Sequence, residues 1–468
     1  MTDDPTPHIA YLWTINAGRY NQSTNPGGLA GPGGMTANYP RLCQAMSAVG
    51  AATTTAATTS TAAATQATTA ATTATARAAE AVAAAQAAAA SAAAAGLPAS
   101  LGPAGSVLTS TGTGAVWRYD PEDDPAAQVI GVALVATGGG TGTWARVDKG
   151  GNTLSGSDYA QGGAAFNAHP VWGGMVPATL DGQLMVRVPA FYYRVALAPL
   201  GSAQAGKTCW WISDRPLDGF VLHPAFYKDG APVNQFWVGK YQGSDSGGTK
   251  VASVAGVMPL TNISFTDYQA RCAARNTGGV TGFMLWSVYQ WAALQMLAVV
   301  EMASTESQGL LGSGRVAEGG VAAVDAADVA SATYRGIVGL WGNVWQYCDG
   351  IRVQATSGTL ALWDRLGNKA WVDTGTARAL SGYPVSFFSH AGAAHNFRDL
   401  FLPATVTDTA NLASVPDYTL STSSAALERV AACGGTYSTG SAAGLWAVAL
   451  TEPDTTFYAN TGGRLAKV

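Results

Sequence analysis

Residues 51–95 constrain this chain most. Of these 45 residues, 26 are Ala and 12 are Thr. Arg77 and Glu80 are the only charged side chains in the tract, and Val82 is its only larger aliphatic residue. Such a segment has nothing with which to build a core. Its second half, "ARAAEAVAAAQAAAASAAAA", consists almost wholly of strong helix formers. Its first half is diluted by Thr, whose branched side chain disfavours a helix slightly. A fully helical tract would run roughly 68 Å at about 1.5 Å per residue. We expect a helical spacer that persists where several copies lie side by side, with Ala packed close at a narrow seam and Thr facing out. A disordered linker is the alternative. "GLPASLGP" at 96–103 supplies the Gly and Pro of a helix stop.

The rest of the composition agrees with an extended assembly. Only 12 % of residues are charged, against about 25 % in ordinary domains. The net charge of −4 comes with no basic stripe, which argues against nucleic acid as a partner. The five cysteines, Cys43, Cys209, Cys272, Cys348 and Cys433, form no CxxC pair. Their odd number argues against a disulfide framework, so they are read as reduced, in a chain made in a bacterial cytosol. The opening MTDDPTPHIAYLW lacks the basic and apolar regions of a secretory signal. The uncharged run Phe283–Val300 reaches the lower limit for a membrane span. Gln290 and Gln295 interrupt it and Glu301 ends it, so a helix buried in a large core is expected.

Four regions follow. Residues 1–50, with the Gly/Pro patch "NPGGLAGPGG", form an N-terminal attachment segment, and 51–98 the spacer. Residues 99–150 hold β-prone runs between Gly/Thr turns and are expected to form a small β-rich shaft or collar. Gly138–Gly140 is not followed by Lys-Ser/Thr, so no phosphate loop is inferred. Residues 151–468 form the main domain. Strands are predicted at Leu184–Val195, Gly219–Leu222 and Phe236–Tyr241, and helices near Asp267–Arg275 and Ser287–Ala303. Two helices among many short strands and long loops indicate an α+β class.

Twelve residues of this domain, "GLWGNVWQYCDG" (339–350), crowd two Trp, one Tyr and three Gly together. They resemble the GNVWEW motif of the formylglycine-generating, sulfatase-modifying family, which has a variant of the C-type lectin fold. The C-terminal "CGGTYSTGSAAGLWAVALTEPDTTFYANTGGRLAKV" resembles the closing pattern of the same fold. "MVRVPAFYYR", "LHPAFYKDG", "FWVGKYQGS" and "YQWAALQMLAVVEMASTESQ" look like segments of phage tail proteins with this domain. "GPAGSVLTSTGTGAVWR" is similar to a repeat of phage fibre shafts. The resemblance covers about residues 165–468 in order. It implies an α+β C-type lectin-like C-terminal domain behind a helical, coiled-coil spacer and a β-rich collar. Within the motif, Trp341, Gly342, Asn343, Trp345 and Tyr347 are read as a structural knot of buried rings and tight backbone. Asp349 is expected to bond backbone or an Arg locally.

The resemblance further implies a bacteriophage tail fibre. Its N-terminus would attach to other tail or baseplate proteins, and its C-terminal domain would bind a host surface glycan or protein receptor. The protein would be a homotrimer located in the virion and assembled in the bacterial host cytoplasm. The heptad pattern is too weak to count strands. In phage proteins of this fold the variable residues lie before the closing strand. Here this points to Tyr437, Thr439, Ser441, Leu445, Trp446, Tyr458 and Asn460 as receptor-binding candidates, a set of rigid aromatic and adaptable polar side chains. Tyr437 and Trp446 could equally pack inside. A structural collar or capsid decoration fibre without a receptor uses the same modules.

No enzymatic role is expected. The formylglycine-generating relatives need two neighbouring cysteines for copper, and Cys433 stands before Gly434-Gly435 with no cysteine nearby in the sequence. A polysaccharide-cleaving tailspike needs two carboxylates at fixed separation and usually a β-helix repeat. Asp181, Asp229, Glu301, Asp349 and Asp399 show no paired spacing. Glu452–Asp454 ("EPD") is similar to the EPN/QPD loop of calcium-dependent lectins, but the WND-type strand they need is not supplied by "FYAN", and the residues fit a plain turn equally well. His390 and His395 lack a third zinc ligand, and His223 is read as structural. Hence no cofactor and no metal are predicted.

Overall fold

The computed structural model describes residues 16–19, 21, 28–30, 34–94, 106–110, 115–119, 128–422 and 426–468. Half of the expected attachment segment and the whole helix stop at 96–103 lie outside these residues. The chain divides into two compact units, the first comprising residues 1–104 and 108–118, the second residues 105–107 and 119–468.

The first unit is dominated by one helix, Gly34–Ala94, of 61 residues. It begins inside the segment assigned to attachment, so the boundary expected at 50 moves to Gly34. A helix that runs through Pro40 costs one backbone bond there, which is why the sequence suggests a later start. The local solution to the Thr content is uniform. Each threonine hydroxyl from Thr54 to Thr75 donates to the carbonyl four residues earlier at 2.9–3.0 Å. That back-bonding satisfies the hydroxyl within its own helix. It also reveals a register: Thr54, Thr58, Thr61, Thr65, Thr68, Thr72 and Thr75 are spaced alternately by four and three, so they share one stripe.

The second unit is mixed α and β, mostly β. Its first sheet has the order Val221–Leu222, Tyr192–Leu197, Thr208–Ser213, Val129–Ala136, Thr143–Val147. The last two strands were assigned to the collar. Val129–Ala136 pairs with Thr208–Ser213 and Thr143–Val147 pairs with Val129–Ala136, which puts both in the second unit and displaces the boundary expected at 150. Ser106–Ser110 and Ala115–Tyr119 pair only with each other. The second sheet runs Phe283–Leu285, Leu465–Lys467, Gln235–Gly239, Gln183–Pro189, Pro177–Leu180. The single strand expected over Leu184–Val195 is therefore two. Pro189 ends the first, since it has no N–H for a ladder, and Phe191 is buried at the corner where the chain passes to the other sheet. The third sheet has the order Trp371–Ala377, Thr359–Trp363, Trp345–Val353, Arg429–Cys433, Val448–Glu452, Thr419–Ser421, with Thr461–Gly463 parallel to Trp345–Val353.

One helix, Val288–Met302, lies between these sheets with all fifteen residues buried. Its two amides, which a membrane span would not tolerate, have tasks. Gln290 closes a capping box with Ser287, and Gln295 donates to Leu445 O at 3.0 Å. Among the described residues no helix is long and apolar enough to cross a membrane.

Regular structure is sparse between the sheets, and a polar cluster holds the loops. Arg464 is fully buried, and its guanidinium donates to five acceptors. These are Gln346 Oε1 at 2.8 Å and the carbonyls of Gly239, Lys240, Val338 and Gly339 at 2.8, 3.3, 2.8 and 2.6 Å. Burial pushes its pKa down to about 9, which leaves it protonated at neutral pH. Gln346 Nε2 donates to Gly339 O and Leu340 O, both at 3.1 Å, and Gln242 Nε2 to Gly339 O and Gly342 O at the same distance. Asn343, at a φ of 63°, donates to Gln242 Oε1 at 2.8 Å and to Ala322 O at 3.0 Å. The rings of Trp341 and Tyr347 are buried, and Trp345 is partly buried.

Replacing Arg464 by Met strands several buried acceptors at once. We expect a loss of the order of 3 kcal/mol or more, read as a lower urea midpoint. Arg464→Lys should recover only a fraction, because an ammonium cannot span the same fork of acceptors.

Candidate functional site

The edge of the third sheet carries an unusual hairpin. Thr359–Trp363 pairs with Trp371–Ala377, with Trp363 opposite Trp371. The two indoles lie 6.1 Å apart between centroids. Trp363 is set by Gly350, whose φ is +79° and where an added Cβ would stand 2.8 Å from the indole. The ring thus rests directly on backbone, which only a residue without a side chain allows. The turn that follows is anchored by Arg365, whose guanidinium binds the buried Asp399, itself bonded to Tyr193 on the first sheet. His223 Nε2 donates to Asp399 O at 3.1 Å while Nδ1 accepts from Ala225 N, and burial pushes its pKa down to about 3, so it is neutral.

Two hollows share Trp363 and Lys369. The outer one, of about 330 Å³, is walled by Trp371, Arg352, Asp349, Gln269, Glu428 and Asp454. Trp371 is 40 % exposed. The Arg352 guanidinium lies 4.1 Å over its ring and pairs with Glu428 at 3.0 Å. Such stacking holds a flat, amphipathic surface open to solvent. The inner hollow, of about 370 Å³, is lined by Tyr227, Tyr289, Gln290 and Asp364 among others.

Asp349 is the titratable group with the most unusual position in the outer hollow. It is buried, accepts from Gly350 N at 2.7 Å, and takes a second bond from Gln269 Nε2. Burial pushes its carboxyl up to about 6, against the pull of those two donors and of Lys369. Other buried carboxylates are committed elsewhere. Glu301 holds Arg335, Tyr334 and Gly162 N, and Asp417 accepts from Trp446 N at 2.7 Å.

The segment expected to recognise a receptor is split by the structure. Leu445 and Trp446 are 0 % and 1 % exposed, so neither is a surface contact. Ser307 Oγ, Gln295 and Asp417 bind the backbone of this stretch and draw it into the core. Gly444 has to be glycine, since a Cβ would collide with the Asp417 carboxylate at 2.1 Å. Tyr437, Thr439 and Asn460 are half-buried, and Ser441 and Tyr458 are exposed. Phe457, which sequence reasoning passed over, is 63 % exposed. Asp454 reaches the outer hollow, and none of the seven candidates lines either hollow.

Trp363, Trp371, Arg352 and Lys369 were also missed. The signal was present as "WDRLGNKAW", two indoles bracketing a Gly-Asn turn, which is hairpin chemistry. A second correction concerns Cys433. The sheet brings Cys348 beside it, both thiols are fully buried, and Cys433 Sγ donates to Gln346 O at 3.4 Å. Burial pushes the Cys348 thiol well up, the opposite of an activated thiolate. All five cysteines are free. Among the described residues no group of three His, Cys, Asp or Glu is placed to hold a metal ion. His390 bonds Thr376 at 2.8 Å and lies edge to face with His395, ring centroids 6.3 Å apart.

No protein-family model matches the chain, and no curated protein matches it. Among solved structures it is similar to that of PvdO from Pseudomonas aeruginosa, at 9 % identity and a TM-score of 0.25, over 63 % of this chain and 98 % of that one. A likeness of that size carries no argument about fold or function.

Asp349 yields a pH prediction. Its folded pKa of about 6 lies above the ordinary carboxylate value. The folded protein therefore holds this proton more tightly than the unfolded chain, and stability falls as pH rises through about 6. Asp349→Asn should remove that fall. The variant should gain of the order of 2–3 kcal/mol over the wild type at pH 7.5 and nothing near pH 3.5, measured by urea unfolding at both values.

Proposed function

We propose that this chain is a bacteriophage tail-fibre protein whose C-terminal domain, of C-type lectin-like kind, binds a receptor on the host cell surface. The observation that carries the reading is the Trp371 face. A large ring lies open to solvent over an ion-paired arginine, beside two hollows, on a scaffold stiffened from behind. Aromatic and Arg side chains dominate recognition surfaces. The contact surface is the Trp363–Trp371 hairpin together with the exposed Phe457–Tyr458 loop, rather than the buried Leu445–Trp446 stretch. The receptor is a glycan or protein of the bacterial surface, and the place of action is the virion.

The helix supports the same reading. A helix of 61 residues with mostly exposed Ala and Thr gains nothing from standing alone. Its seven-threonine stripe has heptad spacing, the pattern by which helices of several copies wind together. We assign the chain a homotrimer, with its N-terminal segment docked to other tail or baseplate proteins. Several tips on one particle then bind together, so each contact can be weak.

The test is adhesion of the full chain to a panel of bacterial cells, beside Trp371→Ala with its melting temperature checked. Cell binding that drops about tenfold or more in a folded variant supports the reading. A folded wild type that adheres to no cell in the panel points to a collar or decoration fibre instead. Light scattering should give three times the chain mass of 47.6 kDa, falling to one in a Thr61→Lys, Thr68→Lys double variant.

A further inference from the structure

The outer hollow holds two charges that the fold leaves unused. Its charged wall residues are Asp349, Arg352, Lys369, Glu428 and Asp454. Three of these are engaged within the protein. Arg352 and Glu428 pair at 3.0 Å, and the Asp349 carboxylate accepts from Gly350 N and Gln269 Nε2. Lys369 and Asp454 are different. Among the described residues neither has an ion pair or a side-chain hydrogen bond, and they do not pair with each other. Lys369 is exposed, and its ammonium is 5.3 Å from the centroid of the Trp363 ring. It stands at a φ of 60°, where Gly or Asn fits more easily, so the turn carries a lysine at a backbone cost. Asp454 is half-buried, on the loop that follows the strand Val448–Glu452.

The third element is Trp371. Its ring is exposed, with the Arg352 guanidinium over one face. An open indole in one wall and a free carboxylate in another suit an alkylammonium, whose charge is spread over its C–H groups. The cavity, about 330 Å³, takes a headgroup rather than a folded segment. A lone cation there meets the free Lys369, and a lone anion meets Asp454 and Glu428. A neutral molecule strips water from both free charges and returns nothing. A ligand with one charge of each sign answers both. Lys369 and Asp454 come from different elements and lie beyond ion-pair reach of each other, so the ligand's charges have to be set apart by a short bridge.

We infer that the outer hollow binds a zwitterionic phosphoalkylammonium group, of phosphocholine or phosphoethanolamine kind. Its phosphate oxygens accept from the Lys369 ammonium. Its own ammonium lies against Trp371 and pairs with the Asp454 carboxylate. The two-carbon bridge between phosphate and nitrogen supplies the separation. This inference rests on the receptor-binding reading and names what the Trp371 face holds, a charged substituent of the bacterial surface.

The experiment titrates the full chain with glycerophosphocholine and glycerophosphoethanolamine, read by tryptophan fluorescence and calorimetry. Choline and inorganic phosphate are the single-charge probes. At least one of the two esters should bind saturably. Lys369→Met and Asp454→Asn should each weaken it by about tenfold. Leu200→Ser, on an exposed loop that lines neither hollow, should not. Melting temperatures are checked, and if one variant fails to fold the other decides. Vesicles of phosphatidylcholine and of phosphatidylethanolamine identify the source. Sedimentation with vesicles, besides binding of the soluble ester, assigns a lipid headgroup. Binding of the soluble ester alone assigns a substituent carried on a polymer, and both results support the proposal. It is overturned if neither ester binds, if both folded variants bind as the wild type does, or if choline or phosphate displaces the ester at matched concentration. Ester binding without adhesion to any cell sinks the receptor reading and leaves this site standing. Adhesion that Trp371→Ala abolishes, with no ester bound, does the reverse.

Discussion

The guanidinium of Arg464 is the interaction on which the loop-rich part of the second unit depends. It is a cation removed from water with no carboxylate against it, solvated instead by four carbonyls and one amide. Those acceptors come from three separate stretches, 239–240, 338–339 and Gln346, and Arg464 itself stands between the strands Thr461–Gly463 and Leu465–Lys467. Loops cannot supply a ladder of their own, so their backbone groups need partners from elsewhere. Here one side chain satisfies a cluster of them. Gln242, Asn343 and Gln346 extend the same service outward. The cost of burying a charge is offset only while every donor is used, which makes the cluster all-or-none in character.

That arrangement explains how a domain with short strands can present a rigid edge. The strand Trp345–Val353 carries the knot at one end and Asp349, Gly350 and Arg352 at the other. Gly350 seats Trp363, and Arg352 seats Trp371. On the far side, Arg365 ties the hairpin turn to Asp399 and through it to Tyr193. The groove is therefore held from two sheets, as a binding site has to be if its geometry is to survive on loops.

Much of this was legible in the residues. The helix Val288–Met302 follows from an apolar run with Ser287 and Gln290 at capping spacing, and the alanine tract announces a helix by propensity alone. The tight motif at 339–350 shows its rings and glycines openly. What could not be read is which side chains meet across long separations. Trp446 looks like a surface aromatic in a Gly/Ser-rich stretch, and only its tether to Asp417, twenty-nine residues away, draws it inside. Cys348 and Cys433 are neighbours only through strand pairing. The break at Pro189 was visible, but the passage of Tyr192–Leu197 into another sheet is a tertiary event. The threonines were expected to face out from an alanine seam, and their alternating spacing by four and three escaped notice because threonine is not counted among core residues.

Because each of those hydroxyls is turned back onto its own helix, the stripe shows methyl groups and almost no charge to its surroundings. Adhesion along it would be indifferent to ionic strength, unlike seams sorted by Glu and Lys. The stripe also acts as a ruler. Removing or adding seven residues changes the length by about 10 Å and keeps every threonine on the same face, whereas any other step turns the remainder by about 100° per residue. A change of length that keeps the face therefore comes in steps close to whole turns, such as seven or eleven residues at about 100° each.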